Sequence, residues 1–312
     1  MKIALIGRSE FLYLIAQSLV KSGHSIVGIV TAKESSPDSW SAKDFERFAA
    51  QLAVPFILAP RPAVHESAIS SWGAEVAVSV NFSTILEKST IDIFPLGILN
   101  VHGGDLPKYR GSACQAWAII NGEKHVALCV HKMIGGEVDS GPIIARERLA
   151  IDISTKVTEI FEWMKFEAPM LVKRALEELE EDPHFFLEIP SEDPADGLRC
   201  YARRPEDGQI DWKSDGETII RLVNAHNRPY AGAFTYLEGE RLIVWDAQLE
   251  NDNENFLAVP GQVTRVGQGH ITVACGTGKI RILEVEVGGK IATPDLFVSS
   301  IRRRLGNQRW DS

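Results

Sequence analysis

Residues 98–112 read ILNVHGGDLPKYRGS, which joins the end of an apolar run to a turn rich in glycine and proline. The run ILNVH has the pattern of a buried β-strand, in which side chains two residues apart point to the same face. Asn100 and His102 are therefore expected to project together just before the turn. An N-x-H triplet is common by chance, so its meaning depends on the rest of the chain.

Apolar runs alternate with amphipathic stretches through the first half of the chain. The predicted strands are KIALIG, SIVGIV, VPFIL, AEVAVSV and GILNVH, and the predicted helices are FLYLIAQSLVKSG, AKDFERFAAQLA and VHESAISSWG. This alternation is typical of a Rossmann-like α/β fold with a mostly parallel sheet covered by helices on both faces. Ligands of such sheets bind outside the carboxyl ends of the strands, where Asn100 and His102 are placed.

The second half of the chain predicts a different architecture. A helix at 113–121, two strands around the turn GGEVDSG and a long helix at 154–181 complete the first part. A polar, proline-containing link follows, and from about residue 201 short β-like runs alternate with glycines, which is typical of a small, OB-like β-barrel. We therefore predict two domains, 1–190 and 201–312, as the length of 312 residues also favours.

Composition and motif searches exclude several classes of protein. The net charge of −9 disfavours a nucleic-acid partner, and no apolar run reaches the roughly 18 residues that a membrane span needs. The first turn, GRSEF, lacks the G-x-G-x-x-G of dinucleotide-binding proteins. No signal-peptide cleavage site follows the apolar N-terminus, so a cytoplasmic location is predicted. We expect no metal site, because there is no H-E-x-x-H motif and no C-x-x-C pair among the four cysteines, which are interpreted as reduced thiols: Cys114, Cys129, Cys200 and Cys275.

Four motifs that follow one another along the first domain, with three in the second, closely resemble the formyltransferases that use 10-formyltetrahydrofolate. This family includes methionyl-tRNA formyltransferase and the sugar-nucleotide N-formyltransferases. The motifs are Asn100-x-His102, LPKYRG (106–111), WAIINGE (117–123), DSGPI (139–143), RRPEDGQIDW (203–212), RPYAGAFTY (228–236) and LIVWDAQ (242–248). The resemblance implies the formyltransferase fold followed by the family's carboxyl-terminal barrel.

The resemblance also implies a catalytic trio of Asn100, His102 and Asp139. An amine that attacks a formyl carbon creates negative charge on the formyl oxygen, which the Asn100 amide and a ring N–H of His102 could stabilise. Asp139 could orient the imidazole and receive the proton of the amine, directly or through water. The structural alternatives are that Asp139 only initiates a turn, and that His125, His131 and Trp117 serve packing.

The resemblance places the pterin of the donor between two segments, NFSTIL (81–86) and MIGGEV (133–138). The candidate residues for this co-substrate, 10-formyltetrahydrofolate, are Phe82, Ile85, Gly135 and Gly136. Backbone groups of such loops can match the edge of a pterin, so the choice of individual side chains is open. Apolar packing is the alternative for Phe82 and Ile85.

The acceptor amine is the main open question, and the charge distribution favours a small substrate. A tRNA-binding enzyme needs clustered lysines and arginines, but residues 201–312 hold 14 of them against 15 acidic residues. The loop AKESSPDSWSAKDFER (32–47), which corresponds to a basic loop in the tRNA enzymes, carries no excess positive charge. The single basic run, Arg302–Arg304, is interpreted as a solvated helix end.

A difference in one motif also favours a small acceptor over tRNA. After YRG the chain reads SACQAW (112–117), where the tRNA enzymes have a proline-containing loop of small residues. We therefore favour a UDP- or dTDP-linked 4-amino sugar, of the kind used in lipopolysaccharide biosynthesis, with Tyr109, Arg110 and Gln115 as candidate contacts to the sugar or its diphosphate. Methionyl-tRNA formylation, formyl hydrolysis and a non-catalytic folate-binding paralogue remain alternatives, and a homodimer is possible.

Overall fold

The computed structural model describes residues 1–34, 38–191, 193, 195–252 and 254–306. These residues form two compact units, the first within segments 1–114, 126–149 and 161–201 and the second within segments 115–125, 150–160 and 202–306. Residues 115–125 and 150–160 thus belong to the second unit, although the sequence analysis assigned them to the first predicted domain. Within the part of the chain that is described, no helix is long and apolar enough to cross a membrane. Residues 35–37 of the loop at 32–47 lie outside the described residues.

The first unit is built on a seven-stranded sheet with the strand order β3-β2-β1-β4-β5-β7-β8. Strands β1 to β5 run parallel, and β7 pairs antiparallel with β5. The predicted mostly parallel α/β fold is confirmed. The elements up to residue 201 are β1 (Lys2–Gly7), α1 (Ser9–Lys21), β2 (Ser25–Thr31), α2 (Ala42–Leu52), β3 (Phe56–Leu58), α3 (Glu66–Ser70), β4 (Val76–Val80), α4 (Lys88–Ile91), β5 (Ile98–His102), β6 (Arg110–Gly111), α5 (Cys114–Ile120), β7 (His125–Lys132), β8 (Ile143–Ala150), α6 (Val157–Glu181) and β9 (Arg199–Cys200).

Strand β5 lies between β4 and β7, and its apolar residues Ile98 and Leu99 are fully buried. Burial on both faces explains why β4 and β5 read as nearly continuous apolar runs. The register pairs Asn100 with Ser79 of β4 on one side and with His131 of β7 on the other. Paired residues of adjacent strands share a face of the sheet, so the polar side chains form one row across the sheet.

The second unit contains a six-stranded antiparallel sheet with the order β10-β11-β14-β13-β12, and β15 pairs with β14. Asp215 caps the N-terminus of the helix that follows it, because its side chain accepts a hydrogen bond of 2.8 Å from the backbone N–H of Thr218. The elements are α7 (Gly216–Ala225), β10 (Ala233–Leu237), β11 (Glu240–Leu249), β12 (Val263–Gly267), β13 (His270–Ala274), β14 (Lys279–Val287) and β15 (Lys290–Ala292).

Residues 303–306 connect the two edge strands of this sheet. Leu305 bridges to Leu237 at the end of β10, and Arg304 bridges to Gln262 beside β12. One residue near each edge strand is thereby paired with this segment, and the predicted carboxyl-terminal β domain is confirmed as an antiparallel sheet. The interpretation of Arg302–Arg304 as a helix end was wrong, because this run enters the bridging segment.

Candidate functional site

The side chains of Asn100, His102 and Asp139 converge at the carboxyl end of β5. Asp139 lies in the turn between β7 and β8, and its Oδ1 accepts a hydrogen bond of 3.2 Å from Nδ2 of Asn100. Its Oδ2 lies 3.5 Å from Nδ1 of His102 and accepts a 2.8 Å hydrogen bond from the backbone N–H of Gly111. Three residues that are far apart in the sequence therefore meet within bonding reach at one edge of the sheet.

The orientation of the His102 ring is fixed from its far side. Its Nε2–H donates to the backbone carbonyl of Tyr109 at 2.7 Å. A neutral imidazole has one N–H, so this bond leaves the lone pair on Nδ1, the nitrogen that faces Asp139. His102 can therefore take up a proton at Nδ1, and the imidazolium that results would lie beside a carboxylate.

Asp139 is held in its ionised form. Burial opposes its ionisation, but the positive charge that His102 and His131 carry when protonated, together with the backbone N–H of Gly111, outweighs burial and keeps the pKa of this carboxyl well below its usual range. Asp139 also adopts a positive φ of 49°, a conformation that aspartate tolerates better than most residues. A carboxyl with such a low pKa is a poor proton acceptor, so its chemistry here is to stabilise a neighbouring cation.

His131, which the sequence analysis assigned to packing, belongs to the same hydrogen-bond network. Its Nδ1 bonds to the carbonyl of Lys132 at 3.0 Å, and its Nε2 lies 3.1 Å from Nδ2 of Asn100 and 3.4 Å from Oδ1 of Asp139. The amide nitrogen of Asn100 therefore points to Asp139 and His131 in this arrangement. The sequence predicted a strand before the turn GGEVDSG, but only the register with β5 places His131 beside Asn100.

The loop after β5 folds tightly over His102, and two glycines make this possible. A Cβ on Gly104 would lie 2.2 Å from the Tyr109 carbonyl oxygen and 2.6 Å from Nε2 of His102. Gly111 has a φ of 100° and contacts the backbone of Cys200, with which it pairs in the β6–β9 ladder. The conformation of the loop is thus what delivers the Tyr109 carbonyl to His102 and the Gly111 N–H to Asp139.

The two segments predicted to hold the donor are in contact. The N–H of Gly136 donates to the carbonyl of Leu86 at 3.0 Å, and a Cβ on Gly135 would collide with the backbone of Lys88 at 2.5 Å. Phe82 packs against the apolar core of the sheet, which agrees with the alternative that this residue serves apolar packing. Ile85 and Ile134 are 54% and 40% exposed, so each segment presents an apolar side chain to solvent.

The three residues predicted to contact the substrate that receives the formyl group have different surroundings. Tyr109 is buried and has a positive φ of 55°, and its carbonyl is engaged by His102. Arg110 donates from Nη2 to the carbonyl of Ser191 at 3.2 Å, while its Nε is buried without a partner among the described residues. Gln115 lies on α5 in the second unit. Their roles toward a substrate stay predictions.

Family models match both parts of the chain. The model for the formyl transferase family matches residues 1–176, and the model for the formyl transferase C-terminal domain matches residues 203–302. The chain belongs to the formyl transferase family. The predicted family is therefore confirmed.

Solved structures of low sequence identity share the fold of this formyl transferase. HypX from Aquifex aeolicus has a TM-score of 0.64 at 16% identity over 100% of this chain, which spans about half (50%) of the length of HypX. WlaRD, a sugar 3N-formyl transferase solved in the presence of dTDP and 5-N-formyl-THF, has a TM-score of 0.65 at 17% identity and covers 93% of this chain and 98% of its own. The N-formyltransferase from Helicobacter canadensis, solved with folinic acid and dTDP-3-aminofucose, has a TM-score of 0.65 at 15% identity and covers 91% and 99%. At these identities the likeness shows the fold of this chain and not what it acts on.

Proposed function

We propose that this formyl transferase moves a formyl group from 10-formyltetrahydrofolate to the amine of a nucleotide-linked amino sugar. The observation that carries the proposal is the convergence of Asn100, His102 and Asp139 at the carboxyl edge of the sheet, where α/β enzymes bind their ligands. An amide, an orientable imidazole and an ionised carboxylate are the groups that acyl transfer to an amine requires.

The residues of the two donor segments fit a flat, partly apolar group with polar edges. Ile85 and Ile134 offer exposed apolar surface, and the adjoining backbone supplies hydrogen-bonding groups. We infer that the pterin lies against Ile85 and the turn that contains Gly135 and Gly136. When bound, the donor supplies the formyl carbon that the amine attacks, with negative charge developing on the formyl oxygen.

His102 is the proposed proton acceptor for the attacking amine. Its Nδ1 carries the lone pair, because Nε2–H is committed to the Tyr109 carbonyl. Asp139 then stabilises the protonated ring and does not itself take up the proton, since its pKa lies well below the usual range. This assignment differs from the sequence-based expectation, in which Asp139 received the proton and a ring N–H of His102 stabilised the formyl oxygen, because the N–H of the neutral ring is already donated to the Tyr109 carbonyl.

Asn100 is the proposed donor to the charged formyl oxygen. In the present arrangement its amide nitrogen faces His131 and Asp139 at 3.1 and 3.2 Å. We infer that substrate binding redirects one of these N–H groups, since hydrogen bonds in active sites often reach their catalytic geometry only in the complex. His131 would keep the other N–H and so hold the amide in place.

The charge distribution supports a sugar nucleotide over tRNA as the acceptor. In the segment 32–47, the positive charge of Arg47 is paired with Asp44. In the second unit Arg303 pairs with Glu238 and Nε of Arg304 donates to the Pro260 carbonyl, so two of the three clustered arginines have partners within the barrel. A formylated sugar nucleotide would serve lipopolysaccharide biosynthesis in the cytoplasm.

A direct competition between acceptors tests the proposal. Purified protein is incubated with 10-formyltetrahydrofolate and, in parallel, with UDP- and dTDP-linked amino sugars, charged initiator tRNA, or buffer alone. We expect formylated sugar nucleotide by mass spectrometry, with loss of the product in Asn100→Ala. Turnover with tRNA alone would show that the acceptor is methionyl-tRNA and not a sugar nucleotide. Release of formate in buffer alone would indicate formyl hydrolysis. Binding of the donor without any turnover would indicate a non-catalytic folate-binding paralogue.

A further inference from the structure

Two arginines occupy paired positions on the short β6–β9 ladder. The register pairs Arg110 of β6 with Arg199 of β9, and the N–H of Arg110 donates to the carbonyl of Leu198 at 2.9 Å. Adjacent strands lie about 4.8 Å apart and paired residues share a face, so both side chains leave the ladder on the same side. Nε of Arg199 lies 3.3 Å from the position that a Cβ on Gly111 would take, so the glycine leaves room for this guanidinium.

The positive charges of these two arginines are not neutralised by neighbouring acids. Among the residues that the structure describes, neither guanidinium lies within ion-pair distance of a carboxylate. Nε of Arg110 is buried without a hydrogen-bond partner there, while its Nη2 donates to the carbonyl of Ser191. Buried donors of folded proteins are nearly always paired, so Nε is suited to an acceptor that a ligand brings. Two such arginines fit a ligand with two negative charges.

The ladder adjoins the residues of the proposed catalytic site. The carbonyl of Tyr109 accepts Nε2–H of His102, and the N–H of Gly111 donates to Asp139. Arg110 lies between Tyr109 and Gly111 in the chain, so its side chain starts one residue away from both contacts. The amine and the diphosphate of a nucleotide-linked amino sugar are attached to the same sugar ring. A diphosphate held by Arg110 would therefore keep the amine near His102.

Tyr201 adds an aromatic ring to this surface. It is 72% exposed, and Cζ of Arg199 lies over its ring, 6.0 Å from the ring centre. The ring and the Arg199 charge therefore face the same side. Nucleic-acid bases stack on aromatic side chains largely regardless of base identity, because every base has a π-face. The order of catalytic residues, arginines and ring thus matches the order of amine, diphosphate and base in a sugar nucleotide.

We propose that Arg110, Arg199 and Tyr201 form the subsite for the nucleoside diphosphate of the acceptor. The two arginines bind the diphosphate, because a planar guanidinium can donate to two phosphate oxygens at once. Tyr201 stacks on the base. This inference deepens the function proposed above and rests on it. Arg199 and Tyr201 lie far from the acceptor loop in the sequence, and the β6–β9 pairing brings them to it.

Calorimetric titration of the full-length protein with UDP and with dTDP tests the subsite without formyl transfer. Arg199→Ala shortens an exposed side chain and should raise the Kd of both nucleotides by about tenfold or more, because charge-assisted hydrogen bonds are lost. Arg199→Lys keeps the charge but not the planar fork, so its Kd should lie between those of wild type and Arg199→Ala. Arg174→Ala, which removes an arginine of α6 that pairs with Glu147, should bind as wild type does.

Inorganic pyrophosphate, which has the charge of the diphosphate but no base, tests the aromatic ring. Tyr201→Ala should weaken the binding of UDP and dTDP by about fivefold or more and leave the binding of pyrophosphate unchanged. Tyr201→Phe keeps the ring and should bind as wild type does. In steady-state kinetics with a sugar nucleotide, Arg199→Ala should raise KM and leave kcat unchanged, because the diphosphate is bound equally in the ground state and the transition state.

Three results would overturn the inference. They are no binding of UDP or dTDP to the wild-type protein, equal Kd values for wild type and Arg199→Ala, and equal weakening of pyrophosphate and nucleotide binding by Tyr201→Ala. The function and the subsite can fail separately. Binding of UDP through Arg199 without any formyl transfer would contradict the proposed function alone, whereas formylation of a sugar nucleotide by Arg199→Ala with the wild-type KM would contradict the subsite alone.

Discussion

Asp139 in the first unit and Glu250 in the second are both largely buried carboxylates, with side chains 11% and 6% exposed. Glu250 accepts hydrogen bonds of 2.9 and 2.8 Å from Nε and Nη2 of Arg281, a cation that never loses its charge in a protein. Asp139 instead contacts two imidazoles, an amide and a backbone N–H. The fixed charge of Arg281 keeps Glu250 ionised, whereas ionised Asp139 can also stabilise a neighbouring imidazole that takes up a proton.

Two buried histidines show the same contrast. His102 lies beside a carboxylate, but His226 accepts a 3.0 Å hydrogen bond from Nε of Arg203, which stacks on the ring of Trp117. Burial and the charge of Arg203 lower the pKa of His226 to about 4. A buried histidine next to a fixed cation stays neutral and is structural, while one next to an ionised carboxylate is suited to proton transfer.

The substitution Asp139→Asn should have the largest effect on catalysis. It keeps the shape of the side chain but removes the charge that stabilises protonated His102, so we expect kcat to fall by about 10²–10³-fold. Steady-state kinetics measures the loss, and circular dichroism shows whether the variant stays folded. A folded variant with wild-type kcat would remove Asp139 from the mechanism.

Asn100→Ala should lower kcat by about 10–10²-fold, because it deletes the proposed donor to the formyl oxygen. The assay is the same, and Asn100→Gln serves as a control that retains an amide at a shifted position. If Asn100→Ala retains full turnover, the developing charge is stabilised by other groups.

Glu250→Gln is the matched control for Asp139→Asn in the second unit. It removes a buried charge from Arg281, so we expect the free energy of unfolding to fall by about 1–3 kcal/mol while kcat per folded molecule is unchanged. Urea titration and kinetics measure the two quantities. A drop in kcat as large as that of Asp139→Asn would mean that the two carboxylates do not differ in the way proposed.

The pH dependence of the free energy of unfolding should show the contribution of His226. Between its ordinary pKa of 6.5 and the folded value of about 4, the unfolded chain binds more protons than the folded one, so stability is lost as the pH falls through this window. We expect a contribution of about 1–2 kcal/mol between pH 7 and pH 5. His226→Gln, which keeps an acceptor for Arg203, should flatten this part of the profile, and an unchanged slope would contradict the assignment.

Much of the fold could be predicted because strands and helices carry their own periodic signals. The five parallel strands, α1, α2 and the strands of the barrel follow from apolar runs and turn residues. The β6–β9 ladder could not be predicted, since its strands have two residues each and their pairing depends on backbone groups rather than on side chains. The bridging role of residues 303–306 was missed for the same reason.

The sequence by itself determined the family, the α/β class and the identity of Asn100, His102 and Asp139, because these depend on residue types in a fixed order. The tertiary structure decided how the three are connected: the tautomer of His102 through Tyr109, and the ionisation of Asp139 through Gly111 and His131. Hydrogen bonds to backbone groups and long-range register leave no mark in a local pattern of side chains, and pKa values depend on burial and on neighbours that only the folded chain brings together.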